Sequence, residues 1–476
     1  MKINVLNVHD NSCIIDLRYM IYRVRGDNVR LVKFRSNIKL EIVIACFLFV
    51  IVIFVSLISY FKSYALFREE KYFNVINGTI GDPGDIYFAY YVDDEITREI
   101  PKKGSGYTLD ITKSNCTNGV SISFDENNYA VITSYENYNA TDYTRTMCDL
   151  YFKKLDITLS DYIKALALYN RFDLTIDEAG GNIRYIGANP NNYVSIDGEL
   201  WRIIGVMKNI DDGTGNKSDR VKLIKNESIG LYSWDSSDSS VNSGCGINEW
   251  SQADIMKLLN PGYESESVGG SLYWNSKSGN CFNGGNNQTV ACNFSDSGMK
   301  SFLKVMVDTV LWNIGANDGV TYIHNNIITS KFYELERSSN NGKICSSGSY
   351  CNDAVVRTTT WTGKVGLMYP SDYGYATSGS GTIDRAICLN EFLYKWNNEF
   401  NDCALNSWLA INLLQSTITP KASVNESMRV FRINYGNVDD PDAGSSAEIR
   451  PVVYLKPTVK IVSGIGTKEN PFVIGN

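Results

Sequence analysis

One stretch of the chain concentrates residue types that proteins use to bind carbohydrate. An aromatic ring offers its apolar face to the C–H groups of a sugar, while nearby oxygens accept hydrogen bonds from the sugar hydroxyls. The predicted ligand contacts are Trp361, Tyr369, Ser371, Asp372, Tyr373 and Tyr375. Packing of Trp361 in the protein interior is the alternative interpretation.

Hydrolytic chemistry has less support in the sequence. Asp372 and Asp384 could act as the two carboxylates of a glycosidase, which must lie about 5 to 10 Å apart, but sequence spacing does not set that distance. The chain has only 2 histidines, and His324 is accompanied by no nucleophile motif such as G-x-S-x-G. We therefore predict no catalytic residue and no cofactor.

A calcium loop is conceivable at residues 211–219, where carboxylate and amide oxygens cluster. The spacing does not fit an EF-hand, and the final glutamate of that motif is missing. A polar turn between two strands is the favoured interpretation, so no metal site is predicted.

The cysteines indicate disulfide bonds. The chain has 11 cysteines without a C-x-x-C pair, and its scarcity of histidine disfavours zinc. The predicted bridges are Cys116 with Cys148, Cys281 with Cys292, Cys345 with Cys351 and Cys388 with Cys403. Cys245 is left over, either as a thiol or as an intermolecular link. Such bridges are typical of an oxidising compartment.

Residues 42–61 form an apolar run with neither charge nor proline, and about 20 such residues suffice to cross a bilayer as a helix. Lys and Arg outnumber Asp and Glu before this run, which predicts a cytoplasmic N-terminus. The expected location is the cell membrane, with a single span and an extracellular C-terminal part. A cleaved signal peptide ending near Ala65 is the alternative.

The predicted fold class is α+β, in several segments. They are a cytoplasmic basic segment (1–41), a transmembrane helix (42–61), a juxtamembrane stalk (62–83), a small β-sandwich (84–153), a linker helix (154–181) and an α+β module (182–476). Within the module, Asp197-Gly198 predicts a type I′ hairpin turn. Helices are expected at 158–169 with Ser160 as N-cap, at 252–259 with Ser251 as N-cap, and at 297–314.

Composition limits the partners. The net charge is −7 with a pI of about 5.2, which disfavours nucleic acid. Aromatic residues make up 12% of the chain, including 30 tyrosines, and tyrosine suits recognition surfaces. The expected partners are the membrane and a glycan or protein ligand, and the oligomeric state stays open.

Several stretches resemble an extracellular module of surface proteins from low-GC Gram-positive gut bacteria. They are residues 187–193, 200–206, 223–230, 361–374 and 450–455, with sequences such as Leu-Trp-Arg-Ile-Ile-Gly-Val and Arg-Pro-Val-Val-Tyr-Leu. The resemblance implies a fold similar in outline to the C-type-lectin-like and sulfatase-modifying-factor domains. The chain departs from that pattern at 414–420, where such modules usually carry two tryptophans.

Taken together, the sequence predicts a cell-surface recognition or adhesion protein that binds a glycan or protein ligand through its distal module. Two alternatives stay open. One is an extracellular enzyme acting on cell-wall or host glycans, and the other is a structural component of the envelope.

Overall fold

The structure is a computed structural model, and it describes most of the chain beyond residue 85. The described residues are 86–98, 100–102, 104–117, 120–124, 130–135, 146–170, 172–237, 244–316, 326–339, 355–398, 400–421 and 428–476. The basic segment, the predicted span 42–61 and the stalk lie outside them.

The described chain is rich in strands and contains short helices. The strands are β1 (Ile86–Val92), β2 (Glu95–Thr97), β3 (Tyr107–Leu109), β4 (Asn115–Cys116), β5 (Val120–Phe124), β6 (Ala130–Tyr135), β7 (Thr146–Lys154), β8 (Leu174–Ile176), β9 (Ile183–Tyr185), β10 (Tyr193–Ile196), β11 (Glu199–Asp211), β12 (Lys217–Lys225), β13 (Leu231–Tyr232), β14 (Ser278–Phe282), β15 (Thr289–Asn293), β16 (Val310–Asn313), β17 (Thr360–Gly363), β18 (Val365–Gly366), β19 (Leu414–Lys421), β20 (Arg429–Asn434), β21 (Asn437–Asp439), β22 (Ala447–Glu448), β23 (Val452–Tyr454), β24 (Lys460–Ser463) and β25 (Phe472–Gly475). The α-helices are α1 (Leu159–Tyr169), α2 (Asp254–Leu259), α3 (Leu272–Asn275), α4 (Ser301–Met306), α5 (Thr329–Glu336), α6 (Pro370–Tyr375), α7 (Arg385–Asn390) and α8 (Asn401–Leu405), with 3₁₀ turns at Trp250–Gln252 and Leu393–Lys395. The sheet-rich α+β class is as predicted.

The chain divides into two compact units. The first contains the described part of Met1–Ile100, Asp110–Ser123 and Ala130–Tyr151. In it, β1 forms a hairpin with β2 and lies beside β7, and β4 pairs with β7 on the other side. The pairing places Cys116 opposite Cys148, and the two form a disulfide. This part is strand-rich, as the sequence indicates.

The second unit holds Pro101–Leu109 and Phe152–Asn476 and is built on one large sheet. Its strand order is β18-β23-β12-β11-β10-β25-β24, and β9 also pairs with β11. A smaller sheet has the order β13-β22-β19-β20-β21. The helix predicted as a linker, α1, lies within this unit and buries Leu159 and Ile163 in its core.

The predicted hairpin of the large sheet is confirmed. Asp197 and Gly198 connect β10 and β11, and both have positive φ angles, of 49° and 81°. A type I′ turn requires this conformation at its two central residues, which Gly adopts without strain and Asp tolerates. The local sequence therefore favours the two-residue turn that joins these strands.

The predicted helices are partly wrong at their ends. Helix α1 is capped by Thr158, whose hydroxyl accepts from the Asp161 N–H at 3.1 Å, so Ser160 is not the cap. The helix expected at 252–259 begins at Asp254, after a 3₁₀ turn that includes Ser251. The helix expected at 297–314 is confined to α4, because Val310–Asn313 pair instead with Thr360–Gly363 as strands.

Three predicted disulfides are present: Cys116 with Cys148, Cys281 with Cys292, and Cys388 with Cys403. The fourth predicted bridge, Cys345 with Cys351, lies outside the described residues. Cys245 is partly buried, and its carbonyl accepts from the Gly444 N–H. No helix in the described part of the chain is both long and apolar enough to span a bilayer.

Candidate functional site

The structure gathers most of the predicted ligand contacts on one short helix but places them in the interior. Tyr369 precedes α6, which contains Ser371, Asp372, Tyr373 and Tyr375, and all five are at most 3% exposed. The ring faces are occupied by protein groups: Lys222 lies over Tyr369, and Trp396 packs against Tyr373. These five side chains therefore offer no surface to a sugar in this conformation.

Trp361, the sixth predicted contact, is half-buried on β17. Its ring meets Trp250 edge-on, with the centroids 5.8 Å apart, and lies 6.5 Å from Trp312 on the paired strand. Interior packing, the alternative interpretation of Trp361, describes this environment.

Asp372 is the centre of the region. Its carboxylate accepts from the Tyr369 N–H at 3.0 Å, which fixes the first turn of α6 after Pro370. It also binds two cations, Arg184 through Nη1 at 2.5 Å and Lys222 through Nζ at 2.5 Å. Burial opposes ionisation of Asp372, but Lys222 and Arg184 outweigh it and hold its pKa at about 2.

The register of the large sheet explains why Arg184 and Lys222 reach one carboxylate. Gly205 on β11 lies opposite Arg184 on β9 and, on its other side, opposite Lys222 on β12. Lys222 in turn lies opposite Tyr454 on β23. Residues opposite one another on neighbouring strands share a face of the sheet. Gly205 carries no side chain between the two cations, and a Cβ there would lie 2.0 Å from the Ile183 carbonyl oxygen.

Arg184 has a second carboxylate partner. Its Nε donates to Asp177 at 2.7 Å, and Asp177 also accepts from the N–H groups of Gly180 and Asn182. Burial of Arg184 disfavours its charge, but Asp372 and Asp177 outweigh that effect and raise its pKa. The guanidinium is thus held by two charges, although its Nη2 is buried without a hydrogen-bond partner.

A second ion pair adjoins α6 from α5. Glu336 accepts from the Ser371 N–H at 3.0 Å, from the Ser371 hydroxyl at 2.5 Å and from Arg337 Nη1 at 2.9 Å. Arg337 in turn lies 3.5 Å over the ring of Tyr333. Burial raises the pKa of Glu336 to about 7 despite the charge of Arg337.

These residues make up what we call the ionic cluster: Asp177, Arg184, Lys222, Glu336, Arg337 and Asp372. It contains three basic and three acidic side chains. Burial lowers the pKa of Lys222 to about 8, and shifted pKa values of this kind also occur in acid–base catalysis. Lys222 and Glu336 are both completely buried, however, and their polar atoms contact protein groups. The arrangement connects sheet and helices rather than presenting groups to a substrate.

Sequence reasoning missed five members of the cluster and found only Asp372. One signal was present, because Lys222 and Ile224 are two positions apart on a strand and therefore share a face. A lysine on the face that buries isoleucine indicates a buried charge.

The other candidate sites have simple structural roles. Asp384 caps α7 by accepting from the Ile387 N–H, and Asp372 is buried in the ionic cluster. In the 211–219 turn, Asp211 and Asp212 accept from N–H groups of their own loop, those of Gly213 and Thr214. No group of three His, Cys, Asp or Glu residues suited to a metal ion occurs among the residues described. His324 lies outside them.

Comparison with known proteins gives no match: no protein family, curated protein or solved structure is detectably similar to this chain.

Proposed function

We propose that the chain is a single-pass cell-surface recognition protein whose second unit binds a glycan or protein ligand. The observation that carries this proposal is an exposed, disulfide-closed hairpin, which we call the ribbon and define as residues 278–293.

The ribbon consists of β14 paired antiparallel with β15. Seven of the ten strand residues are exposed, while Cys281 and Cys292 are buried and bonded to each other. Burial of apolar surface therefore contributes little to its order. Closing a loop of this length by a disulfide contributes about 2 to 3 kcal/mol in the loop-entropy model. A rigid exposed hairpin loses little entropy on binding, which favours recognition.

The chemistry of the ribbon suits an uncharged, hydroxyl-rich or peptide ligand. Its residues include Asn280, Asn287, Gln288, Thr289 and Asn293, and no residue between 278 and 293 carries a charge. Amide groups both donate and accept hydrogen bonds, as sugar hydroxyls and peptide groups do. The aromatic residues of α6 are not needed for this mode of binding.

The disulfides support an extracellular location for both units. Disulfides persist outside the reducing cytosol, and bridges occur in the first unit and in the second. Together with the apolar run 42–61 and the basic residues before it, they favour a membrane-anchored chain with a cytoplasmic N-terminus. A lectin-like fold for 182–476 belongs to the same proposal.

The experiment is a binding screen with the full-length chain in lipid nanodiscs against glycan and peptide arrays. We expect saturable binding that falls at least tenfold in the double variant Cys281→Ser/Cys292→Ser. The matched control is Cys388→Ser/Cys403→Ser, which removes a buried bridge and leaves the ribbon closed. Circular dichroism reports whether each variant stays folded.

Other outcomes would reject the proposal. Turnover of a glycan without saturable binding favours an extracellular enzyme, and self-association without any ligand favours an envelope component. Labelling of a cysteine introduced at the exposed position Ser278, with an impermeant reagent on intact cells, tests the location separately, and protection of that cysteine would contradict it.

A further inference from the structure

Two more arginines lie on the same face of the large sheet as the ionic cluster. Arg202 on β11 lies opposite Ile224, which lies opposite Val452 on β23. Ile224 is two positions after Lys222 and therefore shares its face. Arg450 comes just before β23, and it lies close enough to Arg202 for the charge of Arg202 to lower its pKa. Both arginines are deeply buried, at 6% and 3% exposure. We call them the arginine pair.

Arg202 is held by rings and neutral oxygens. Its guanidinium carbon lies 4.2 Å from the ring centre of Tyr193 and 4.5 Å from that of Trp408. Its Nε donates to Asn192 Oδ1 at 2.8 Å, and its Nη2 donates to the Pro190 carbonyl at 3.3 Å. Two aromatic faces fix the plane of the guanidinium without neutralising its charge.

Arg450 also has only neutral hydrogen-bond partners among the described residues. Its Nε donates to the Lys225 carbonyl at 2.8 Å, and its Nη1 donates to Gln415 Oε1 at 3.4 Å. The exposed Glu227 attracts it electrostatically but forms no ion pair with it. Burial lowers the pKa of Arg450 to about 9, with a further contribution from the charge of Arg202, so both side chains stay cationic at neutral pH.

Each guanidinium has one terminal nitrogen that makes no hydrogen bond within the described part of the protein. Arg202 Nη1 and Arg450 Nη2 donate to no acceptor in the described part of the protein. Neither nitrogen is among the unpartnered polar atoms that are sealed from solvent, whereas Arg184 Nη2 is. Each of these two nitrogens therefore keeps some contact with solvent.

We propose that Arg202 and Arg450 together bind an oxyanion, such as the carboxylate or sulfate group of a ligand. Guanidinium groups bind oxyanions through parallel, charge-assisted hydrogen bonds, and two buried cations without a carboxylate are stabilised strongly by such a group. Tyr193, Trp408 and Gln415 would position the arginines, which contact the anion themselves. This inference does not depend on the ribbon or on location at the cell surface.

The test is fluorine NMR of trifluoroacetate with the full-length chain in a non-ionic detergent, at constant ionic strength set by sodium chloride. We expect saturable broadening of the probe signal, weakened at least tenfold in Arg450→Gln and in Arg202→Gln. The control is Arg432→Gln, because Arg432 already has a carboxylate partner in Asp439, at 3.0 and 2.8 Å. That variant should bind the probe like the original chain.

Competition distinguishes the sources of the anion. Sulfate, glucuronate and an acetylated dipeptide compete with the probe if they present the required oxyanion, while glucose and the dipeptide amide are their neutral controls. Displacement by glucose as effective as that by glucuronate would overturn the proposal, as would equal probe binding by all three variants and the original chain. If the variants fail to fold, the measurement on the original chain still tests the proposal. Absence of saturable probe binding by the original chain would reject it.

Discussion

In the large sheet Arg184 meets two carboxylates, whereas Arg202 and Arg450 meet carbonyl and amide oxygens, and Arg202 also meets two aromatic rings. The two regions are neighbours: on β12, Ile224, which lies opposite Arg202, is two positions after Lys222. Removing a charge from water costs several kcal/mol unless a partner compensates it. The ionic cluster is compensated within the protein, and its chemistry is complete. The arginine pair is not, which is why we assign a ligand to it.

The largest expected difference comes from replacing one arginine in each region. Arg184→Met leaves Asp177 and Asp372 short of a buried counterion, and should lower the free energy of unfolding by about 3 to 5 kcal/mol. Arg450→Met removes an uncompensated charge and its hydrogen bond to Lys225, two effects that oppose each other, so a change of about 1 kcal/mol or less is expected. Urea unfolding measures the free energy of unfolding of both variants. Equal losses of stability in the two variants would contradict the distinction between the ionic cluster and the arginine pair.

A pH scan should respond to the ionic cluster and not to the arginine pair, with a further contribution from Asp254, whose pKa burial raises to about 6. The folded pKa of Glu336, about 7, lies above its ordinary value of 4.5, so the folded state binds the proton more tightly. The resulting stabilisation is complete below pH 4.5 and is lost as the pH rises through 7, an effect on the order of 2 to 3 kcal/mol. The arginine pair stays charged throughout this range.

Urea unfolding between pH 4.5 and 7.5 checks this expectation. Stability should fall as pH rises in the original chain and in Arg450→Met, and the slope should flatten in Glu336→Gln. A steep slope that survives in Glu336→Gln would assign the titration to another group.

A smaller effect is expected at the glycine between the two cations of the cluster. Gly205→Ala places a methyl group against the Ile183 carbonyl, forces β9 and β11 apart, and should cost about 1 to 3 kcal/mol. Gly381→Ala is the control, because no atom lies within 4 Å of the added Cβ there and its backbone conformation is ordinary. The melting temperatures of both variants measure this cost. Similar melting temperatures would show that the strands adjust to the added methyl group.

Local signals in the sequence were sufficient where one short segment determines the structure. Asp197-Gly198 specified the turn, and three disulfides followed from cysteine spacing and scarcity of histidine. The prediction of a helix at 297–314 was wrong at its C-terminal end. The apolar periodicity continues into residues that instead form a strand, which pairs with Trp361 and its neighbours about 50 positions later. Tertiary pairing overrode helix propensity there.

The candidate site was harder to predict because its polar residues are buried by distant partners. Asp372 has the composition of a surface ligand contact, yet Arg184 and Lys222 compensate its charge inside the protein. Only the register of β9, β11 and β12 brings those cations together. The arginine pair was missed for a related reason. Only the folded structure shows the neighbours of Arg202, and therefore shows that no carboxylate is among its hydrogen-bond partners.

The position of Asp372 in the chain also bears on biosynthesis. It follows Lys222 by 150 residues and Arg184 by 188. At ribosomal rates of roughly 5 to 20 residues per second, both cations are made on the order of 10 s before their carboxylate. During that interval Lys222 lacks the carboxylate that compensates its charge in the fold, whereas Asp177 is already available to Arg184. We therefore expect the packing around Lys222 to be completed only after α6 has been translated.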